Sequence, residues 1–211
     1  SFNYKHKKQT GGSGQFAHIV GSIEPIDVEG EDTFVFEEKI VGGRIPKQFI
    51  PSVEKGFRLS CERGPLARYP VVGVKVVLSD GSYHEVDSSD KAFQTAAGGC
   101  FRQLFPETKP AILEPLMLME IECPEDYQGS VTGDIISRRG IVASSDARDG
   151  VTQINVEVPL VETFGYATDL RSMTKGQGTF QMELARYGKV PRNIQEDIIK
   201  KRAAEYAEMK K

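Results

Sequence analysis

The sequence predicts an α+β protein built as two successive units and closed by a terminal helix. Three observations carry this. Alternating runs such as Val72, Val74, Val76 and Leu78 lie between runs with helical spacing such as Phe93, Ala96, Ala97, Cys100, Phe101 and Leu104. A proline-bounded stretch, residues 106–110, separates two sets of such elements. With 211 residues, 39% of them hydrophobic, the chain is long enough for one or two real cores.

Residues 3–9 alternate bulky and basic side chains and read as a strand. Thr10-Gly-Gly-Ser-Gly14 reads as a turn, and 15–23 as the returning strand. Residues 24–32 are acidic and turn-rich, and 34–39 form a short strand. A helix is predicted over 51–63 with Val53, Phe57 and Cys61 on one face. Gly64-Pro65 is expected to end it, since glycine tolerates a left-handed cap and proline cannot continue. After the strand through 72–78, Asp80-Gly81 reads as a turn, and 82–87 lead into a helix over 89–104. Ser88 or Ser89 would cap that helix by accepting an orphan amide. Gly98-Gly99 costs it about 1 kcal/mol per glycine, so close packing is expected to require them.

The second unit reads as strand 116–123, helix 126–138 with Val131 and Ile135 inward, and strand 140–145. A hairpin turn at Asp149-Gly150 leads to strand 151–158, a short helix over 162–172 and strand 179–187. In the short helix Phe164, Ala167 and Leu170 are expected to form the apolar face, with Arg171 at its edge. This β-α-β-β-α-β order is the ferredoxin-like arrangement, a four-stranded antiparallel sheet with two helices on one face. A final helix over 192–210 carries Ile194, Ile198, Ala203 and Tyr206, a stripe that must dock on something.

A formal net charge of −3 excludes a global basic field for nucleic acid. RNA contacts must then come from local patches: Lys5-His-Lys-Lys8, Arg138-Arg139 or Lys200-Lys-Arg202, each of which also fits an ordinary solvated face. Cys61, Cys100 and Cys123 have no framework spacing and read as buried free thiols in a reducing compartment. No apolar run approaches about 18 residues, so no membrane helix is expected. No signal peptide opens the chain, there is no initiator Met, and residues 1–4 read as mid-strand, so a fragment of a longer protein is expected.

Catalytic signals are poor. No Gly-x-x-x-x-Gly-Lys-Ser/Thr loop cradles a phosphate, and Gly11-Gly-Ser-Gly14 lacks the lysine and helix that would make one. The histidines have no zinc-like spacing, and no Gly-x-Ser-x-Gly elbow occurs. Glu120 and Glu122 lie two apart on a strand, the pattern of a solvated sheet face. Neither catalytic residues nor metal ligands are predicted. His84, just before a helix, reads either as an exposed loop histidine or as part of a polar loop reaching nucleic acid, with Tyr83 available to stack.

Several phrases occur in order: Lys8-Gln-Thr-Gly-Gly-Ser-Gly-Gln15, Gly64-Pro-Leu66, Gly81-Ser-Tyr-His-Glu-Val-Asp-Ser-Ser89, Leu113-Glu-Pro115, Ser137-Arg-Arg-Gly140 and Phe164-Gly-Tyr-Ala-Thr-Asp-Leu-Arg-Ser172. Together they resemble domains IV and V of translation elongation factor G, over essentially the whole chain. The resemblance implies an elongated domain similar to the second domain of ribosomal protein S5 over 1–110. It implies a ferredoxin-like domain over 111–190, and a helix over 191–211 that packs back on the first domain. It implies a ribosome-binding part of a translational GTPase that moves tRNA and mRNA, with ribosomal RNA, tRNA and mRNA as partners, acting as a monomer and away from membranes. The tip that meets tRNA and mRNA would comprise Gly11, Gly12, Ser13, Gly14, Gln15, Ser82, Tyr83, His84 and Asp87. Arg138, Arg139, Phe164, Tyr166 and Arg171 would face ribosomal RNA. GTP and Mg²⁺ are expected only in a domain upstream, so this stretch is expected to need no cofactor and to be no enzyme by itself.

The chain departs from the family pattern at Ser13, where many bacterial members carry arginine, and at Phe16-Ala17, where Tyr-Gly is usual. Ile45-Pro-Lys-Gln-Phe-Ile-Pro51 and Cys61-Glu-Arg-Gly64 are closer to mitochondrial-type members and their bacterial relatives. The implied compartment is the bacterial cytoplasm, with the mitochondrial matrix as the alternative. Two other functions compete: a paralogous ribosome-recycling or ribosomal protection factor, which would differ in the tip loops, and a freestanding enzyme on a ferredoxin-like fold, which would need a pocket with perturbed carboxylates.

Overall fold

The computed structural model describes residues 1–9 and 11–210. The chain divides into two units, the first comprising Ser1–Ala111 with the helix Arg192–Glu208, the second Ile112–Pro191. Each has its own core.

Unit 1 carries strands β1 (Phe2–Lys8), β2 (Gln15–Pro25), β3 (Phe34–Glu38) and β4 (Val74–Ser82) in the order β1-β2-β4-β3. β3 runs parallel to β4, and the other pairs are antiparallel. A parallel pair needs a crossover, which α1 (Ile50–Glu62) supplies. α2 (Asp90–Leu104) follows β4. The helices bury Val53, Phe57, Phe93 and Phe101 against Ala17, Ile19, Val76 and Leu78. Phe57, Phe101 and Phe105 form a chain of ring contacts. Ser89 is the cap of α2, its hydroxyl accepting from the Ala92 amide at 3.1 Å.

Three local expectations fail here. Asp80-Gly81 is not a turn: β4 runs through it, with Asp80 opposite Val20 and Gly81 opposite Ile19. The glycine is needed for close approach, since a Cβ there would lie 2.2 Å from the His18 carbonyl oxygen. Gly64 does not take the left-handed conformation; it leaves room for Val71, whose Cγ2 would lie 2.5 Å from a Cβ. Of Gly98-Gly99, only Gly99 is closely packed, against the Tyr4 hydroxyl.

Unit 2 carries β5 (Leu113–Pro124), α3 (Gln128–Ser137), β6 (Ile141–Arg148), β7 (Val151–Pro159), α4 (Tyr166–Met173) and β8 (Thr179–Lys189). The sheet order is β6-β7-β5-β8, all antiparallel, which is the ferredoxin-like arrangement. Asp149 and Gly150 both have positive φ, 52° and 79°, as a two-residue hairpin loop requires. Val131 and Ile135 of α3 pack with Met119, Ile121, Ile154, Val156 and Val158.

The short helix turns a different face inward than its periodicity suggests. Phe164 and Ala167 are exposed, while Tyr166, Leu170 and Thr174 are buried. The cause is Gly165 at φ +76°: it ends the preceding turn and leaves Phe164 in an extended conformation outside the helix. Spacing counted from Phe164 is therefore out of phase with a helix that begins at Tyr166.

The terminal helix α5 (Arg192–Glu208) has no fully buried residue. Ile194, Ile198 and Tyr206 are half-buried and Ala203 is exposed. Polar and aromatic contacts fasten it to unit 1. Arg202 lies over the Tyr69 ring at 4.6 Å and donates to the Ala67 carbonyl at 3.3 Å, and Arg68 lies over the Tyr206 ring.

Candidate functional site

The strand register brings two loops to one end of the unit 1 sheet. Lys8 pairs with Gln15 and Ser82 pairs with His18, so the β1–β2 turn and the β4–α2 loop leave the sheet side by side. Thr10 lies outside the described residues. The described part of the turn, from Gly11 to Gly14, has Gly11 and Gly12 at positive φ with open space around both.

A clasp joins the loops. The Phe16 amide donates to the Asp87 carbonyl at 2.9 Å. The Ser88 hydroxyl donates to the Phe16 carbonyl at 2.7 Å and accepts from the His84 amide at 2.9 Å. Gly14 lies so close to the Asp87 carboxylate that a Cβ would sit 2.8 Å from it. Thus the Asp87 carboxylate faces the neighbouring loop. The role of Ser88 could be read only in part from sequence. Two serines precede α2, one caps it, and the other is free to make a cross-loop bond.

His84 is held by its own loop. Its Nδ1 accepts from the Val86 and Asp87 amides, both at 3.2 Å, so the proton of the neutral ring lies on Nε2. That Nε2–H has no partner among the described residues, and the side chain is 55% exposed. The Phe16 ring lies 6.4 Å from the imidazole and Tyr83 is exposed beside it. Gln15 accepts from His6 Nε2 at 2.9 Å through its carbonyl oxygen, leaving its amide NH₂ as a donor. Ser82 donates to His18 Nδ1 at 2.9 Å, and His18 Nε2–H donates to the Asn3 side-chain oxygen at 2.7 Å. The Ser82 hydroxyl thus braces the sheet end. Ser13 and Tyr83 make no hydrogen bond or ion pair with their side chains among the described residues. The end presents exposed backbone, two glycines, an imidazole N–H, an amide NH₂ and aromatic rings, which can donate hydrogen bonds and stack. No group of three or more His, Cys, Asp or Glu among the described residues could hold a metal ion.

The five candidates in unit 2 separate into two classes. Arg138 is used internally: it donates to Asp134 at 2.8 Å, to the Glu162 carbonyl at 2.7 Å and to the Asp169 carboxylate, and lies over the Tyr166 ring. Burial disfavours its charge, but Asp134 and Asp169 outweigh that and raise its pKa. Arg139 holds Glu114 in a two-point bond at 2.8 and 3.0 Å and reaches Glu162 at 3.2 Å; the Glu114 bond leads in raising its pKa. Tyr166 is 1% exposed and packs edge-on against Phe180, and burial raises its pKa. Tyr166 is thus a buried ring, and both guanidinium groups are committed to carboxylates within the unit. Phe164, at 76% exposure, and Arg171 do lie on the outside.

The family Elongation factor G, domain IV, matches residues 1–109, and the Elongation factor G C-terminus matches 111–198. Elongation factor G of Rhodopirellula baltica is 67% identical over 201 residues, covering 95% of this chain and 29% of that protein. Elongation factor G 2 of Bdellovibrio bacteriovorus is 53% identical over 207 residues, covering 98% of this chain and 30% of that protein. A crystal structure from Thermus thermophilus superposes with a TM-score of 0.80 at 35% identity, over 96% of this chain and 30% of that one. The chain thus spans about 30% of the length of the relatives it matches.

Proposed function

The chain belongs to the elongation factor G family, and on that premise we propose that it is the ribosome-binding, C-terminal part of a translational GTPase that moves tRNA and mRNA through the ribosome. Unit 1 enters the RNA-lined space and its two-loop end meets tRNA and mRNA. The residues that do so are Gly11, Gly12, Ser13, Gly14, Gln15, Tyr83 and His84, while Ser82 and Asp87 hold the loops from behind. Phe164 and Arg171 of unit 2 face ribosomal RNA. This chain has no phosphate loop, so GTP and Mg²⁺ are assigned to the part of the relatives that it does not cover. The relatives named above are bacterial, which favours the bacterial cytoplasm, and no helix among the described residues is long and apolar enough to cross a membrane.

The clasped end carries this reading. A loop that only finished a sheet would not need its histidine ring oriented by two of its own amides with the remaining N–H left open to solvent. Phosphate and base edges are recognised by such fixed donors and by backbone that can approach closely. In the full-length factor, His84→Ala removes one donor, a net contribution of about 1 kcal/mol, and is expected to slow single-round translocation about five- to tenfold. GTP turnover is expected to stay unchanged, and the melting temperature to fall only slightly, since the two long bonds that the ring accepts from the Val86 and Asp87 amides are exposed to water. Wild-type translocation in that variant, or a slow phase that tracks unfolding, rejects the assignment. A ribosome-recycling role would instead appear as unaltered translocation with impaired subunit splitting.

A further inference from the structure

The strand that leads away from this end carries cations that no carboxylate answers. Lys5, Lys7 and Lys8 of β1 are exposed, and none has an ion pair among the described residues. Across the ladder they oppose neutral groups: His18, Phe16 and Gln15 respectively. Lys5 and Lys7 share the sheet face turned away from the helices, because Ala17 and Ile19 are buried on the other face and the Tyr4 hydroxyl reaches Gly99 of α2 there. His18 adds no charge of its own, being braced between Ser82 and Asn3, with burial and then Lys5 holding its pKa down.

Other cations on or beside the same sheet are treated differently. Lys75 and Lys39 are paired with Glu37, at 2.7 and 3.1 Å, and Arg44 with Asp80 at 2.8 Å. Glu37 and Glu38 stand on β3, the opposite edge strand. Charge on an edge strand guards against pairing with another chain, and either sign serves that purpose. Edge protection therefore explains why β1 and β3 are both charged. It does not explain why β1 is basic, unpaired and continuous with the two-loop end.

We propose that β1 is a backbone-tracking RNA surface, which extends the contact of the tip along the open face of the unit 1 sheet. Lys5 and Lys7 stand about 6.8 Å apart along the strand, so each can neutralise a different phosphate. Phe16, opposite Lys7 and beside His84, supplies a ring on which a base can stack. Lys8 carries the track to the turn. The inference rests on the ribosomal reading above and names further residues for it.

The test is binding of the purified chain to a labelled oligouridylate and, separately, to bacterial small ribosomal subunits, over a series of KCl concentrations. Each phosphate neutralised on a single strand contributes about 0.7 to the slope of log K against log salt. Lys5→Gln/Lys7→Gln/Lys8→Gln is expected to flatten the oligouridylate slope by about 2 and to weaken binding at low salt at least tenfold. The Lys→Arg triple variant is expected to keep the wild-type slope, which separates charge from fold, and Lys39→Gln/Lys75→Gln to leave it unchanged. An unaltered slope in the glutamine triple variant overturns the proposal, as does a wild-type chain that does not bind oligouridylate at all. Binding to subunits with an unaltered slope rejects the β1 track and leaves the ribosomal reading standing. Lysine-dependent binding to oligouridylate without binding to subunits keeps the track and rejects the ribosomal reading.

Discussion

The lysines of β1 and the arginines that close α3 sit in opposite electrostatic settings. Both are clusters of cations close in sequence near an element end, and both look like sites for an anion. In unit 2 the arginines meet Asp134, Asp169, Glu114 and Glu162 and become internal latches. In unit 1 the lysines meet His18, Phe16 and Gln15 and stay available. A cation is a recognition group only while its surroundings leave it unsatisfied. Two arginines with four carboxylates around them have more to lose by leaving than a phosphate could return, because the exchange strands partly buried carboxylates.

The most severe way to probe this contrast is Tyr166→Ala, which empties the buried ring site under Arg138. A loss of about 3–5 kcal/mol is expected in the denaturant unfolding of unit 2. Tyr166→Phe is expected to be neutral or slightly stabilising, since the hydroxyl has no partner. If Tyr166→Ala unfolds normally and weakens ribosome binding instead, the ring is a ligand after all.

Arg139→Ala comes next. It leaves Glu114, whose side chain is only 13% exposed, without its two-point partner, and about 2–4 kcal/mol of stability is expected to go. The matching Lys7→Ala change in β1 is expected to cost less than about 0.5 kcal/mol. Equal thermal midpoints for the two variants would erase the distinction between latch and free cation.

Ser88→Ala removes two bonds of the loop clasp and is expected to cost about 1–2 kcal/mol. Its signature is faster amide exchange confined to the turn and the β4–α2 loop. Exchange rising throughout unit 1 would mean that Ser88 supports the core rather than the end.

The smallest effect concerns pH. His18 has a folded pKa below its usual value, first through burial and then through Lys5. The folded form therefore binds fewer protons than the unfolded chain. Its contribution is intact above the ordinary value of 6.5 and is lost as pH falls from there through the lowered folded value. Unit 1 stability is expected to fall slightly over that window, and His18→Gln to remove that part of the slope. A wild-type profile no steeper than that of the variant would show that His18 does not titrate with folding. A slope matched by unit 2, which contains no histidine, would point to carboxylates instead.

The sequence by itself determined the element order, the two cores and the family. Alternation and helical spacing are local consequences of burying one face of a strand or helix, so Val53, Phe57, Phe93 and Ile135 were legible without coordinates. The turn at Asp149-Gly150 was legible because its backbone conformation restricts the residue types. Tertiary structure decided what those local rules do not contain. Asp80-Gly81 became strand because β2 approaches closely across the ladder, and Tyr166 went inward because one left-handed glycine reset the phase of α4. The clasp between Phe16 and Ser88 joins residues 72 positions apart. The fate of the Arg138-Arg139 patch was likewise fixed largely by carboxylates remote in sequence: Glu114 lies 25 residues before Arg139, and Asp169 lies 31 after Arg138. Pattern within one element records which face is buried. Whether a charge is spent or free depends on which other elements the fold brings beside it.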